Sequence, residues 1–420
     1  MTMARGDPSP TDCGIAAPGP ACTPYSVVDL DRVRDGVSLA IRSVSPFPVL
    51  VTFALKASYL HPVLEAVREE GAGVSVFSEL ELGLARRAGF ADNSIVYNGC
   101  GRSGRELAAA AASGATVNIE SLGELADLLR QDLRLPIEIG VRVNSRGLLD
   151  GAPEKYEVLG VPADSLFEFA DLLIGRNIRL AGVSFHAFAN RRDGAGHLAL
   201  LQAIIPVVGR LSGHPVADLQ YVDVGGGFAS RMDIRDDDAA GFFRAIAGAL
   251  HGALGVRTVF ELGRFLVADA EDVVARVLDV RERSDGSRAA ILDVTTNYLI
   301  PAPGHDFRIV SCGTPEREHD AGCPESELSG DANVGPVVFV DRLGSEICRQ
   351  PASRVTAGAN VLVRNLGAYA GVMKEMFVFG TPRQWFRKDG RLFPGVSQEI
   401  DFAAYHGWDT SEQGHPRLWT

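Results

Sequence analysis

The stretch VLVTFALKASYLHPVLEAVREEGAGVSVFS, residues 49–78, reads as one complete strand–helix–strand unit. An apolar run ends at a single lysine, Lys56. A segment with helical spacing follows, HPVLEAVREEG, and then a second apolar run, GVSVFS. Two such runs joined through a helix predict parallel pairing. Lys56 sits where a buried strand is expected. A buried ammonium is costly, and such a lysine responds by lowering its pKa and becoming a better nucleophile. The ordinary alternative is a strand-end lysine whose stem lies along apolar surface while its head reaches water.

The same alternation continues outward. SIVYNG is followed by SGRELAAAAASG and TVNI by SLGELADLLRQ, and IEIGVRVN, LAGVSFHAF, YVDVGGGF and RTVFELG complete eight candidate strands. Repeated βα units with short connections predict a right-handed parallel sheet, and eight of them predict a closed barrel of about 250 residues. We therefore expect an α/β chain with a (β/α)8 TIM-like barrel over residues 45–272. Beyond about Val273 the runs VVARVLDVRER, AAILDVT, PVVFVD and NVLVRNLGAYAG predict a β-rich domain over 273–420. Residues 24–44, with the strand-like YSVVDL, are expected to join that domain, and residues 1–23, rich in Pro, Gly and Ala, to form a mobile tail.

Composition narrows the function. Hydrophobic residues make up 46% and charged residues 22% of the 420, as in a soluble globular enzyme of about two domains. A net charge of -12 gives no footprint for nucleic acid or an anionic membrane. Cys13, Cys22, Cys100, Cys312, Cys323 and Cys348 show no C-x-x-C spacing, so neither a metal site nor a disulfide framework is expected. The first residues lack a signal-peptide apolar core and no stretch is long enough for a membrane span, so a cytoplasmic protein is expected.

In a barrel of this kind the active site collects at the C-terminal strand ends. The residues closing the runs are Lys56, Arg142, His186, Gly225 to Gly227, Glu261, and Gly263 with Arg264. Successive glycines let backbone N–H groups curl around an anion, and an arginine one strand later adds charge-assisted hydrogen bonds. Each has a plain structural alternative: a tight turn, a salt-bridge glutamate, a core histidine. Together they meet the needs of pyridoxal phosphate: an amine for its aldehyde, an anion site, a carboxylate to keep the ring nitrogen protonated, and a flat plate for the ring.

From about Thr23 to Thr381 the chain resembles the fold-type III pyridoxal-phosphate decarboxylases, which include diaminopimelate, ornithine and arginine decarboxylases. The resemblance rests on FALKAS, GVSVFSELEL, GVRVN, HAFAN, DVGGGF, ELGR and GAYAG, in the family's order. It implies an alanine-racemase-like fold and a homodimer whose active sites are shared across the interface. By position, it implies that Lys56 forms the internal Schiff base, His186 stacks on the ring and Glu261 pairs with the pyridine nitrogen. It also implies that Gly226, Gly227, Gly263, Arg264 and Tyr369 hold the phosphate, with Arg142 and Glu81 in support.

A carboxylate at the ring nitrogen favours a delocalised carbanion and hence decarboxylation at Cα. Alanine racemases resemble one another in placing an arginine there, which makes racemisation or another outcome at Cα the second expectation, and a non-catalytic homologue the third. The departures are informative. The family's G-P-x-C-[DE]-x-x-D becomes GPVVFVDRLG, with Val338 and Phe339 at the cysteine and acidic positions after Gly335 and Pro336, and with Asp341 one residue early. TTNYLIPAPGHDF lacks the arginine that grips a distal carboxylate. Ser75 stands for an aspartate, and Ala189 for a phosphate-binding serine that Asn190 could replace.

Phe339, Asp341, Asn297 and Tyr298 are therefore the candidate substrate residues, and His305, Asp306 and Cys348 the candidate proton donors. DRLG resembles a subgroup acting on modified or carrier-tethered amino acids in siderophore and antibiotic biosynthesis, so the expected partner is an amino acid, free or conjugated.

Overall fold

The computed structural model describes residues 23–133, 135–144, 148, 158–299, 308–311, 336–351, 355–374, 378–395, 408–409 and 417–418. The chain forms two compact units, one of Arg32–Ala270 with Gly367–Val372, the other of Met1–Asp31, Glu271–Leu366 and Met373–Thr420. It opens with β1 (Tyr25–Asp29) and α1 (Leu30–Ser43).

The first unit then runs β2 (Val49–Ala54), α2 (His61–Glu69), β3 (Gly73–Val76), α3 (Glu79–Arg87), β4 (Ile95–Tyr97), α4 (Gly104–Ala112), β5 (Thr116–Ile119) and α5 (Leu122–Leu129). It continues with β6 (Ile137–Arg142), α6 (Leu166–Asp171), β7 (Ile178–Ser184), α7 (Ala195–Leu211), β8 (Ala217–Asp223), α8 (Asp236–Leu254), β9 (Arg257–Leu262) and α9 (Arg264–Val267). β2 to β9 close into a parallel barrel, β9 pairing with β2 in a register that sets Thr52 beside Glu261. All eight expected runs are barrel strands. Lys56 lies just past its strand, on a single 3-10 turn, Leu55–Ala57.

Local chemistry starts the helices where the strands end. Ser78, Ser103 and Ser121 cap α3, α4 and α5 by accepting the N–H groups of Glu81, Glu106 and Glu124, the spacing of a capping box. Glu81 and Glu124 turn back to accept the N–H groups of Phe77 at 2.7 Å and Glu120 at 2.9 Å. Each thereby pins the loop leading into its helix.

Inside the barrel, Gly140, Gly182 and Tyr221 lie side by side on β6, β7 and β8. A Cβ on Gly182 would come within 2.3 Å of the Tyr221 ring, and one on Gly140 within 2.2 Å of its hydroxyl. The two glycines leave the space that the phenol fills, and its O–H donates to Asn118 Oδ1 at 2.7 Å. The layer thus carries a polar tip up through an apolar interior that includes Val96, Ala181 and Val259.

The second unit is a mixed sheet of β1, β10 (Glu271–Glu282), β11 (Arg288–Leu292), β12 (Arg308–Ser311), β13 (Pro336–Val340), β14 (Glu346–Pro351), β15 (Asn360–Arg364), β16 (Arg383–Lys388) and β17 (Arg391–Pro394). β1 pairs antiparallel with β10 and parallel with β16, so the N-terminal strand is internal to a sheet built mainly from the C-terminal third. Two expected boundaries are corrected. Most of α1, from Arg32, belongs with the barrel, and so do Gly367–Val372, which the sequence reading placed in the β domain. Residues 1–22 of the expected tail lie outside the described residues. Among the described residues no helix is long and apolar enough to cross a membrane.

Glu271 is buried in this unit and accepts the Tyr298 hydroxyl at 2.5 Å. Burial pushes its carboxyl up to about 7, against the pull of Tyr298 and Ser26. The folded chain therefore binds this proton more tightly than the unfolded chain. The resulting stabilisation is complete below the ordinary glutamate range and is lost as pH rises through about 7. Glu271→Gln, which keeps an acceptor for Tyr298, is expected to flatten the change in melting temperature between about pH 5 and about pH 8. In the barrel, Gly182→Ala drives a methyl into the Tyr221 ring and is expected to cost about 3 kcal/mol in chemical denaturation.

Candidate active site

The barrel brings strand-end residues together from all eight of its strands. Lys56 follows β2, Phe77 follows β3, Asn98 follows β4 and Glu120 follows β5. Arg142 ends β6, His186 follows β7, and Gly225 to Gly227 follow β8, while Glu261 lies near the end of β9 with Gly263 and Arg264 after it.

Lys56 is half-buried, with Nζ 3.6 Å from the centroid of the Phe77 ring. That contact offers the ammonium a cation–π partner in a place with little water. Glu81, expected as a supporting group, is one step removed: it holds the Phe77 N–H and accepts the Tyr59 hydroxyl at 2.8 Å. Glu261 is buried, and Asn98 Nδ2 donates to its Oε1. Burial pushes the Glu261 carboxyl up, while Lys56, then Arg142, pull it back. Arg142 Nη1 in turn donates to Glu120 Oε1 at 2.8 Å.

The glycine turn is sterically closed to any side chain. Gly225 and Gly227 have φ of +66° and +89°, a left-handed backbone that glycine adopts without strain. A Cβ on Gly226 would lie 2.0 Å from the Glu261 carbonyl oxygen, and one on Gly227 2.4 Å from that of Phe188. Gly226 N–H donates to His186 Nδ1 at 3.3 Å, which ties the imidazole to the turn.

Beneath the turn, His197 of α7 contacts the Gly226 carbonyl through Nε2 at 3.0 Å and stacks on Phe228, ring centroids 4.3 Å apart. Burial pushes this imidazole down to about 4, so it is neutral near neutrality, and a carbonyl partner makes Nε2 the protonated nitrogen. Across the mouth, Tyr369 N–H donates to the Ala57 carbonyl at 2.8 Å, and the Arg264 guanidinium carbon lies 5.1 Å from the Tyr369 ring centroid. Tyr369 has φ of +73°, a costly conformation for an aromatic residue and one that concentrates at functional sites. A Cβ on Gly263 would lie 3.4 Å from the Tyr369 hydroxyl.

These residues fit pyridoxal phosphate. Two glycine positions that no side chain can share, with a guanidinium and a phenol at hand, suit a phosphate. A half-buried amine and a buried carboxylate suit the aldehyde and the ring nitrogen. Among the described residues no cluster of three or more His, Cys, Asp or Glu could hold a metal ion.

The candidate substrate residues lie in the sheet unit, and three of them are engaged there. Phe339 is fully buried on β13. Asp341, also buried, accepts the Thr296 hydroxyl at 2.8 Å and the N–H groups of Thr296, Leu343 and Ser345, so it organises a turn. Tyr298 is buried against Glu271, and only Asn297 is partly exposed. Burial pushes the half-buried Cys348 thiol up to about 12. His305, Asp306 and Gly335 lie outside the described residues.

Sequence reasoning missed Asn98, Asn118, Asp223, Glu120 and His197. Asn98 ends a strand run and was within reach of the strand-end rule, and Asp223 sits inside YVDVGGGF beside the glycines. Asn118 and His197 carry no local signal.

Residues 31–268 match the family described as "Pyridoxal-dependent decarboxylase, pyridoxal binding domain". Curated relatives include a diaminopimelate decarboxylase of Bacteroides thetaiotaomicron, 25% identical over 84% of this chain and 92% of its own, and one of Pseudomonas aeruginosa, 27% identical over 80% of each. Diaminopimelate decarboxylase from Helicobacter pylori, solved with L-lysine, superposes with a TM-score of 0.74 at 20% identity over 92% of this chain and 97% of its own. Lysine/ornithine decarboxylase from Vibrio vulnificus, solved with putrescine, gives 0.68 at 19% over 87% and 94%. Barrel, sheet and strand-end residues together define a pyridoxal-phosphate enzyme of the barrel type. The chain belongs to the pyridoxal-dependent decarboxylase family, and it is an amino-acid decarboxylase using pyridoxal phosphate.

Gly226→Ala is expected to lower the affinity of the apoprotein for pyridoxal phosphate by at least about tenfold, since a displaced turn forfeits more than one hydrogen bond's worth of energy. Absorbance titration with the cofactor measures it.

Proposed function

We propose that the chain removes the α-carboxyl of an amino acid or amino-acid conjugate that lacks a free distal amine or carboxylate, in the assembly of a siderophore or antibiotic. The observation that carries the decarboxylation is the placing of Lys56 and Glu261 at one barrel mouth beside the glycine turn, with the Lys56 charge acting on Glu261. For the substrate, the support is sequence alone: Val338 and Phe339 where relatives carry a cysteine and an acid, and no arginine in TTNYLIPAPGHDF.

The roles are those that the resemblance implies, and the geometry supports them. Bound pyridoxal phosphate supplies an electron sink for the pair left at Cα when carbon dioxide departs. Lys56 is the amine that would hold the aldehyde carbon. Glu261 keeps a proton on the ring nitrogen, and the charge it needs is sustained by Lys56, Arg142 and the Asn98 amide. His186, tied to Gly226, presents a flat face to the ring. Gly226, Gly227, Gly263, Arg264 and Tyr369 grip the phosphate. Arg142 holds Glu120 and adds positive charge behind Glu261. The Lys56 amine would also serve to carry a proton to or from Cα. A homodimer with sites completed across the interface is the assembly that the family resemblance supports.

Racemisation at Cα alongside decarboxylation is the second reading, and what favours it is the absent cysteine, which the resemblance implies is the family's usual proton donor. Carbon dioxide release and loss of optical activity, followed together over a panel of amino acids and their amides and esters, separate the two. Lys56→Ala is expected to remove the long-wavelength band of the bound cofactor and to lower turnover by at least about 10³-fold. A variant that keeps both would show that Lys56 is not the anchoring amine.

A further inference from the structure

Behind Glu261 lies a line of polar groups that crosses the barrel interior. The Tyr221 hydroxyl donates to Asn118 Oδ1 at 2.7 Å, Asn118 Nδ2 donates to Asn98 Oδ1 at 2.8 Å, and Asn98 Nδ2 donates to Glu261 Oε1. The direction of this line is determined by its end. Turning either amide around would set a carbonyl oxygen against an acceptor, so the donors all point toward Glu261.

A second buried carboxyl, Asp223, stands beside the line. Its Oδ1 accepts the Gly225 N–H at 2.8 Å and its Oδ2 faces Asn118 Nδ2 at 3.4 Å. The Asn118 amide thus forms a bridge between this acid and the line that ends on Glu261.

Charge counting shows what the bridge must do. The groups around Glu261 are Lys56 from the turn after β2, Glu120 after β5, Arg142 on β6, and Asp223 with the neutral Tyr221 on β8. Three acids face two cations. Lys56 acts on Glu261, while Arg142 is hydrogen-bonded to Glu120 and acts on Glu261 and Asp223 together, so Asp223 has only a share in one cation already bonded to another acid. A buried carboxyl in that position takes up a proton instead of bearing an unpaired charge. Burial, followed by the Glu261 charge, pushes Asp223 well above the usual carboxylate range, in accord with the count.

We infer that Asn98 is a positioning residue which, backed by Asn118 and Tyr221, keeps the negative charge of this acid pair on Glu261 while Asp223 holds the proton. The inference rests on the reading that Glu261 serves the cofactor's ring nitrogen. It adds to that reading a device that keeps Glu261 charged in a buried place, and it makes the acid of YVDVGGGF a neutral hydrogen-bonding group.

Three measurements on the apoprotein and its cofactor complex test it. The infrared difference spectrum of wild-type apoprotein minus Asp223→Asn, taken near neutral pH, is expected to show the carbonyl band of a protonated carboxylic acid. Carboxylate bands in its place overturn the inference, whatever the other variants do. Asn98→Ala, with its fold checked by circular dichroism, is expected to bind pyridoxal phosphate at least about tenfold more weakly near neutrality, because a hydrogen bond to a buried charged group is worth about a factor of ten or more.

That gap is expected to close as pH rises and Glu261 ionises without help. A gap equal at every pH marks a merely structural role and overturns the inference, as does no gap. Glu261→Gln separates the two levels. If it binds the cofactor as the wild type does, the ring-nitrogen reading falls and this inference with it. If it binds weakly while Asn98→Ala binds normally, only the inference falls.

Discussion

A carboxylate buried at the mouth of a parallel barrel is the constraint on which the rest of the site depends. Burial pushes the Glu261 carboxyl up, toward a neutral form that has no charge to offer a ring nitrogen. The chain answers with Lys56 from the turn after β2, Arg142 from β6 and the Asn98 amide from the end of β4. None is near Glu261 in sequence. The closed barrel, by setting β9 against β2 and pointing every strand end the same way, brings them within reach.

Steric exclusion does the complementary work. The turn at Gly225 to Gly227 is pressed against the carbonyls of Glu261 and Phe188 so closely that no Cβ fits. Two of its backbone groups tie it to neighbouring imidazoles: Gly226 N–H to His186 and the Gly226 carbonyl to His197. The buried, neutral His197 is held by the Phe188 and Phe228 rings, so the turn rests on a packed aromatic floor. A second exclusion operates deeper, where Gly140 and Gly182 give their volume to Tyr221 and thereby support Asn118 from below.

Much of the fold was legible because its signal is local. Eight apolar runs separated by helical patterns, with Ser-x-x-Glu starts at Ser78, Ser103 and Ser121, state a βα repeat in terms any single segment can show. Strand ends were legible for the same reason, and with them Lys56, Arg142, His186, Glu261 and the glycines. In the sheet unit the local signal says less about side-chain contacts. Phe339, Asp341 and Tyr298 look from their motifs like substrate-facing positions, yet Phe339 is core, Asp341 ties a turn and Tyr298 bonds Glu271. Motif position tells which residue stands at a place, while burial in a particular sheet decides what the side chain touches.

By itself, then, the sequence determined the barrel, the order of its units, the identity of the strand-end groups and hence the cofactor class. These follow from hydrophobic periodicity and from the chemistry of residues at known places in a repeat. Only the tertiary structure decided that Tyr221, Asn118, Asn98, Asp223 and Glu261 form one connected line, that His197 lies under the glycine turn, and that residues 367–372 belong with the barrel. The reason is physical. Hydrogen bonds and Coulomb forces act over a few ångströms in space, and in this chain the partners are separated by 20 to more than 100 residues, as in Asn118 with Asn98 and Tyr221 with Asn118.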